Sequence, residues 1–114
     1  MNIVLLILLG HWIGDFVFQS SSMAKQKSHS LKWLTIHVMI YCLILFLTIV
    51  PVFGLLLAAK FIAINGALHW ITDFFTSKLS VKHQDNPRIF YPILGFDQLV
   101  HTAGLIYTYE IFLM

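Results

Sequence analysis

The sequence predicts an all-α fold, a transmembrane four-helix bundle made of two duplicated helical hairpins. Three observations predict it: a charge-poor, apolar composition, four apolar runs near spanning length, and a six-residue motif that occurs twice. Of 114 residues, 59% are apolar and 11% charged, against about 25% charged in an ordinary soluble domain. Disorder needs the opposite balance. A disulfide scaffold is excluded because Cys42 is the single cysteine. A soluble domain this small would need far more polar residues to cover its surface. The net charge of +2 is too small to point to nucleic acid. A membrane protein remains, with room for three or four spans of about 20 residues each.

The chain reads as one four-span domain over residues 1–114, with spans at about 3–19, 33–50, 55–78 and 93–114. The run Ile3–Gln19 lacks the basic region and cleavage site of a signal peptide, and it carries His11 and Asp15. The polar stretch Ser20–Lys32 follows. Span two, from Trp33, stops at Pro51, which cannot continue a helix. Pro51–Gly54 is then expected as a tight turn. Span three starts at Leu55. The polar stretch Leu79–Pro92 contains two helix breakers, Pro87 and Pro92, and span four runs from Ile93. The aromatic segment from Ile89 to Phe96 is expected as an interfacial anchor at the start of that span. Six of the seven Lys and Arg flank the two long loops. By the positive-inside rule these loops face the cytoplasm. The chain is therefore expected to be multi-pass in a bacterial inner membrane, with both termini external.

His11-Trp12-Ile13-Gly14-Asp15-Phe16 recurs as His69-Trp70-Ile71-Thr72-Asp73-Phe74, with five of six positions identical. Duplication of a two-helix hairpin explains this most simply. Two spans per repeat preserve orientation, so an axis along the membrane normal would relate the halves. The repeat is imperfect, since Trp33 stands where Asp97 has its counterpart.

Asp15, Asp73 and Asp97, three of the five acids, fall within spans, as do His11, His37, His69 and His101, four of the six histidines. Ionisable groups at membrane depth are costly and mark function. His11, Asp15 and Gln19 are spaced four apart. The same step separates Asn65, His69 and Asp73, then His37 and Tyr41, then Asp97 and His101. Residues at this spacing share a helix face. Counted from the cytoplasmic ends, His11, His69 and His101 sit about nine residues in, His37 slightly shallower, and the acids about five, roughly 13 and 7 Å deep. Four helices therefore aim four imidazoles and three carboxylates at one level.

This set suits a metal. Nitrogen and carboxylate ligands fit Zn, Mn or Fe, as one or two divalent transition-metal ions. The expected ligands are His11, Asp15, His37, His69, Asp73, Asp97 and His101. Gln19, Tyr41, Asn65 and Gln98 would orient them or the substrate. A dinuclear centre with a bridging carboxylate is one arrangement, and a single ion with supporting carboxylates is another. No Lys or Arg is expected at that depth, so three buried carboxylates call for a cation. Without metal, the same groups could hydrogen-bond across helices as packing or relay protons. Gly10 and Gly14 would let span one approach a neighbour closely. Cys42 reads as an apolar filler, and His29 and His83 as solvated loop residues.

The spaced set His11, Asp15 and Gln19, then Met23-Ala24 and Lys27, then His37, then Asn65, His69 and Asp73, and finally Asp97-Gln98 with His101, resembles DUF3307. This is a domain-of-unknown-function family of small bacterial and phage polytopic membrane proteins. The resemblance covers nearly the whole chain. It implies an integral membrane protein with these residues as its signature, and it implies no activity.

The leading expectation is a metal-dependent hydrolase of a lipid-linked or phosphorylated substrate near the cytoplasmic face. Metal would generate hydroxide and polarise the scissile group. One of Asp15, Asp73 and Asp97 would serve as general base. A small oligomeric ion, proton or metal transporter is the second reading, and a non-catalytic partner-binding membrane protein the third. The expected partners are the lipid bilayer and, in an oligomer, further copies of the chain, with the substrate itself undefined.

Overall fold

Four of the five α-helices begin where a side chain or proline prepares the first turn. In the computed structural model, which describes residues 2–113, the Asn2 side chain accepts the Val4 N–H at 2.8 Å and opens α1, Ile3–Trp12. Ser20 accepts from Met23 N–H at 3.1 Å and starts the short α2, Ser21–Gln26. Ser30 does the same for α3, Leu31–Phe53, by accepting from Trp33 N–H. These oxygens satisfy N–H groups that have no partner within a helix. Gly54 ends α3 with φ 81° and leads directly into α4, Leu55–Lys82. Pro87 is the first residue of α5, Pro87–Leu113, where a missing N–H costs nothing. The Asn86 carbonyl accepts from Phe90 N–H at 2.8 Å. The described residues are almost entirely helical and contain no strand.

The helices differ from the expected spans at their ends. α3 continues through Pro51 to Phe53, so Pro51–Gly54 is not a turn. Pro51 lies in the last turn, where the ring forfeits only one backbone bond. α5 likewise runs through Pro92, so Ile89–Phe96 is its opening turns. The stretch Ser20–Lys32 is not all loop, because it holds α2. The first apolar run is also shorter than the expected 3–19. α1 passes at Ile13 into a π-helical turn, Ile13–Val17, and helical order stops there. Gln19 therefore does not continue the face that carries His11 and Asp15.

α3, α4 and α5 are each long and apolar enough to cross a membrane, and Ile3–Val17 is a shorter apolar helix. The longest dimension is 42 Å, close to the about 40–45 Å of a bilayer with its headgroups. Helix α4 packs against α3 and α5, α1 with its π turn packs against α3, and α2 lies beside α3 and α4.

Burial is inverted relative to a soluble protein. Leu5, Met39, Leu43, Leu47, Leu55, Leu56, Ile71, Leu99 and Tyr107 are exposed, while His11, Asp15, His37, His69, Asp73, Asp97 and His101 are buried. One half of the interior is apolar, built from Ile7, Leu45, Ile49, Ala58, Phe61 and Leu105 around Tyr41. The other half is polar. A single stripe on α4 makes the change, passing from Ala58 and Phe61 through Asn65 and His69 to Asp73, Thr76 and Ser77.

Two glycines set the approach of the first helix. A Cβ on Gly14 would stand 3.3 Å from the Tyr41 backbone, and one on Gly10 would stand 3.0 Å from the Thr48 side chain. The Gly10 and Gly14 spacing thus acts in close packing of the first helix on α3. Backbone atoms cannot move aside, so Gly14→Leu is expected to cost about 1–3 kcal/mol from overpacking. Gly95 has nothing within 4 Å of its would-be Cβ, so Gly95→Ala is expected to stabilise by about 0.5–1 kcal/mol. Thermal unfolding of both variants in detergent checks the opposite signs.

Candidate metal centre

The four buried histidines and three buried aspartates expected from the sequence meet in the polar half of the interior. They are brought by the first helix and its π turn, α3, α4 and α5. The motif copy His69–Asp73 lies on regular α-helix, whereas the copy His11–Asp15 straddles the start of the π turn. The wider turn places Asp15 so that both carboxylate oxygens point inward, and each faces a different cluster.

The first cluster contains Asp15 Oδ1, His37 Nε2, His69 Nε2 and Asp73 Oδ2. His37 Nε2 lies 3.1 Å from Asp15 Oδ1, 3.1 Å from Asp73 Oδ2 and 3.2 Å from His69 Nε2. His69 Nε2 lies 3.4 Å from Asp15 Oδ1 and 3.3 Å from Asp73 Oδ2. An ion bound tetrahedrally at about 2.0–2.2 Å separates its ligand atoms by about 3.3–3.6 Å. Five edges of this cluster, at 3.1–3.4 Å, fall at or just under that range. Hydrogen bonding alone uses the arrangement poorly, because the single Nε2 of His37 meets three close neighbours and can donate at most one proton.

The second cluster lies on the other side of Asp15. Asp15 Oδ2 is 3.8 Å from His11 Nε2 and 3.7 Å from His101 Nδ1. His101 Nδ1 is also 3.6 Å from Asp97 Oδ2. The Gln98 side chain ties these groups together. Its Oε1 accepts from His11 Nε2 at 2.9 Å, and its Nε2 donates to Asp15 Oδ2 at 3.2 Å and Asp97 Oδ2 at 3.0 Å. The His101 ring stacks on His69 at 3.9 Å, and Tyr41 lies on the other side of His69 at 4.1 Å.

One expectation is overturned. A lysine does reach the carboxylates: Lys27 Nζ donates to Asp73 Oδ2 at 3.0 Å, with its side chain only 10% exposed. It arrives from the segment following α2, which folds back beside α3 and α4 and so brings a residue of the polar stretch to the depth of the cluster. Lys78, donating to the Ser28 carbonyl at 2.7 Å, pins this segment to α4. The three carboxylates therefore already have one counter-cation.

Among the expected orienting residues, Gln98 and Tyr41 touch the clusters directly. Asn65 donates to its own helix at Phe61 O, and its Oδ1 has no partner among the described residues. Gln19 lies outside the helices but lines the cavity described below. Sequence reasoning missed Thr76, whose hydroxyl donates to Asp97 Oδ1 at 2.5 Å. It sits three residues beyond Asp73 on the buried face of α4, so helical spacing could have found it. Lys27 appears in the set of residues that carries the family resemblance, although spacing gave it no role. His29 is exposed and bonds Ser28, outside the clusters.

A cavity of about 330 Å³ opens beside the first cluster, bounded by α2, the end of α4 and the start of α5. Asp73 and Asp97 are among its lining residues. Gln19, Lys25, Lys27, Ser77, Ser80 and Gln84 give it a polar wall, and Phe90 and Leu94 an apolar one. Of the four residues of the first cluster, Asp73 alone lines this cavity.

No curated protein and no solved structure matches the chain. One family model does, described as "Protein of unknown function (DUF3307)", over residues 3–114. With almost the whole length matched, the chain belongs to the DUF3307 family.

Proposed function

We propose that this is an integral membrane protein that holds a divalent transition-metal ion at the first cluster and hydrolyses a phosphorylated or lipid-linked substrate. The carrying observation is the set of four ligand-type atoms from Asp15, His37, His69 and Asp73, spaced as one tetrahedral ion would space them. Charge supports the reading. Three carboxylates and the Lys27 ammonium leave two negative charges in a buried site, which one divalent ion neutralises. Zn best fits this geometry and ligand set, with Mn or Fe as the other candidates.

Such an ion supplies a Lewis acid and lowers the pKa of water. The chain's own residues divide the remaining work. Asp15, His37 and His69 are the deep ligands. Asp73 alone of the four lines the cavity, so it is the ligand that yields its position to water and, freed from the ion, takes that water's proton. As the water oxygen bonds to phosphorus, the bond to the leaving oxygen breaks, and Asp73 returns the proton to that oxygen. Lys27, beside Asp73, and Lys25 bind the anionic group. The apolar wall at Phe90 and Leu94 accommodates the first carbons of a lipid chain.

The topology proposed with this reading is four spans from two duplicated hairpins, the short first helix included. Both polar stretches then lie on the cytoplasmic side of a bacterial inner membrane. The repeated six-residue motif and the placement of Lys and Arg support it. Transport is the weaker reading for one chain, since the fully buried Leu45, Ile49, Ala58, Phe61 and Leu105 offer no polar continuation beyond the clusters.

Purified chain prepared without chelator is expected to carry near-stoichiometric metal by elemental analysis, and His37→Ala or His69→Ala should lose it. Phosphate release from a short-chain phosphorylated lipid in detergent should require that metal. Metal-loaded protein inactive on every phosphomonoester and diphosphate lipid tried would overturn the hydrolase reading. Protein that is folded and metal-free would overturn the centre itself.

Steady-state kinetics should separate Asp73 from Lys27. Asp73→Asn is expected to lower kcat by about 10²–10⁴, the usual contribution of a general base. Lys27→Met should act mainly on KM, raising it about 10–100-fold for loss of a charge-assisted contact of about 1.5–3 kcal/mol.

A further inference from the structure

We infer that the centre binds a second divalent ion at His11, Asp15 and His101, and that Asp15 bridges the two ions through its two carboxylate oxygens. The inference rests on the reading of the first cluster as a metal site, and it adds a site of its own. Its basis is the division of Asp15: Oδ1 faces His37 and His69, whereas Oδ2 faces His11 and His101.

The His–Asp15 distances in the second cluster are too long for hydrogen bonds and suited to a shared ion. His11 Nε2 and His101 Nδ1 stand 3.8 and 3.7 Å from Asp15 Oδ2, whereas a protein hydrogen bond closes to about 2.7–3.2 Å. Two ligands at about 2.0–2.2 Å from one ion lie about 3.3–3.6 Å apart at the tetrahedral angle and slightly more at wider angles. A second, independent observation points the same way. His101 is 2% exposed, and neither of its ring nitrogens has a hydrogen-bond partner among the described residues. A buried imidazole with both nitrogens unmatched bears a desolvation cost, and a coordinate bond at Nδ1 relieves the part that falls on that nitrogen.

Gln98 completes the site. In the structure its amide nitrogen lies against Asp15 Oδ2 and its carbonyl oxygen against His11. Moving the amide away from both, with the His11 proton on Nδ1, frees the His11 Nε2 and Asp15 Oδ2 lone pairs and lets Oε1 serve as a neutral oxygen ligand. Three protein ligands of the His, Asp, His type with one exchangeable neighbour are the composition of a catalytic site that keeps a position open. Two ions bridged by one carboxylate lie about 3.5–4 Å apart, the spacing used to hold the attacking and leaving oxygens of a phosphoryl group.

Charge sets the order of filling. One divalent ion neutralises the three carboxylates and Lys27, so a second leaves the centre with a positive surplus. An anionic group beside Lys25 and Lys27 balances it. The second ion is therefore the weaker one and binds best with an oxyanion present.

Purified full-length protein in detergent, titrated with Zn²⁺ in the presence of inorganic phosphate, tests this by elemental analysis after gel filtration. The expected result is two ions per chain in the wild type and one in His101→Gln. His101→Gln should weaken the second ion by more than the about 10–100-fold that loss of a merely supporting residue gives. Gln98→Glu, which offers a carboxylate at the same reach, should tighten the second ion and leave the first in place. Co²⁺-substituted wild type should show magnetic coupling between two ions in its electron paramagnetic resonance spectrum, and His101→Gln should not. One ion in both wild type and His101→Gln overturns the inference and leaves the first centre standing. Two ions in both overturns the assignment to His101. No ion in the wild type overturns both sites.

Discussion

The structure depends on keeping three carboxylates inside a helical assembly whose outer surface is apolar. Asp15, Asp73 and Asp97 are each no more than 6% exposed. An ionised carboxylate in such surroundings is sustained only by charge pairing and dense hydrogen bonding. Each is supplied differently. Asp73 has the Lys27 ammonium and two imidazoles, Asp97 has the Thr76 hydroxyl and the Gln98 amide, and Asp15 has imidazoles on both of its oxygens with Gln98 on one. Asp15 is the shared member. It is also the residue on which the backbone departs from α-helix, and π turns of this kind occur often at functional sites.

Packing has to hold these groups in register without the help it has in water. Lipid tails are as apolar as leucine, so helices in a bilayer associate through close fit and polar contacts. The exposed leucines and isoleucines therefore contribute little to holding one helix on another. The fit comes from small residues: Gly14 against the Tyr41 backbone, Gly10 against Thr48, and Gly66 against the Cys42 side chain. Tyr41 serves both demands. Its backbone receives the first helix, and its ring lies against His69 and edge-on to His11. The apolar half of the interior thereby sets the rotation of α3 and α4, and that rotation aims His37, His69 and Asp73 at Asp15.

Much of this was legible in the sequence because helical spacing is regular. Residues four apart on α4 and α5 had to share a face, and burial of Asn65, His69 and Asp73, or of Asp97 and His101, follows directly. Helix ends were less legible. Pro51 and Pro92 read as stops, yet each sits near a terminus, where a helix loses one bond and continues. Gln19 read as the third member of a stripe, but a π turn and a helix end intervene, and neither has a periodic signature. Lys27 was hidden for a different reason. Depth along straight spans leaves out the segment after α2, which returns beside α3 and α4 to bring Lys27 to Asp73, a tertiary event that hydropathy does not encode. Gln98 looked like one orienting residue among several, and only its reach to His11, Asp15 and Asp97 makes it the link between two clusters.

The position of the polar half along the helices argues for chemistry over mere cohesion. Hydrogen bonds used only to hold helices together could be spread along the interior and would each be self-satisfied. Here they are concentrated at one end, beside a cavity with ammonium and hydroxyl groups on its wall, while the other end is sealed by Leu45, Ile49 and Phe61. They are also left incomplete: His69 Nδ1, His11 Nδ1 and both His101 nitrogens have no partner among the described residues. Unmatched buried groups oppose stability, and of these four atoms a cation at the second cluster would take His101 Nδ1, since His11 and His69 face the clusters through Nε2. A cation among the ligand atoms and an anion in the adjoining cavity would satisfy both excesses at once, and that pairing is what the proposed hydrolase requires.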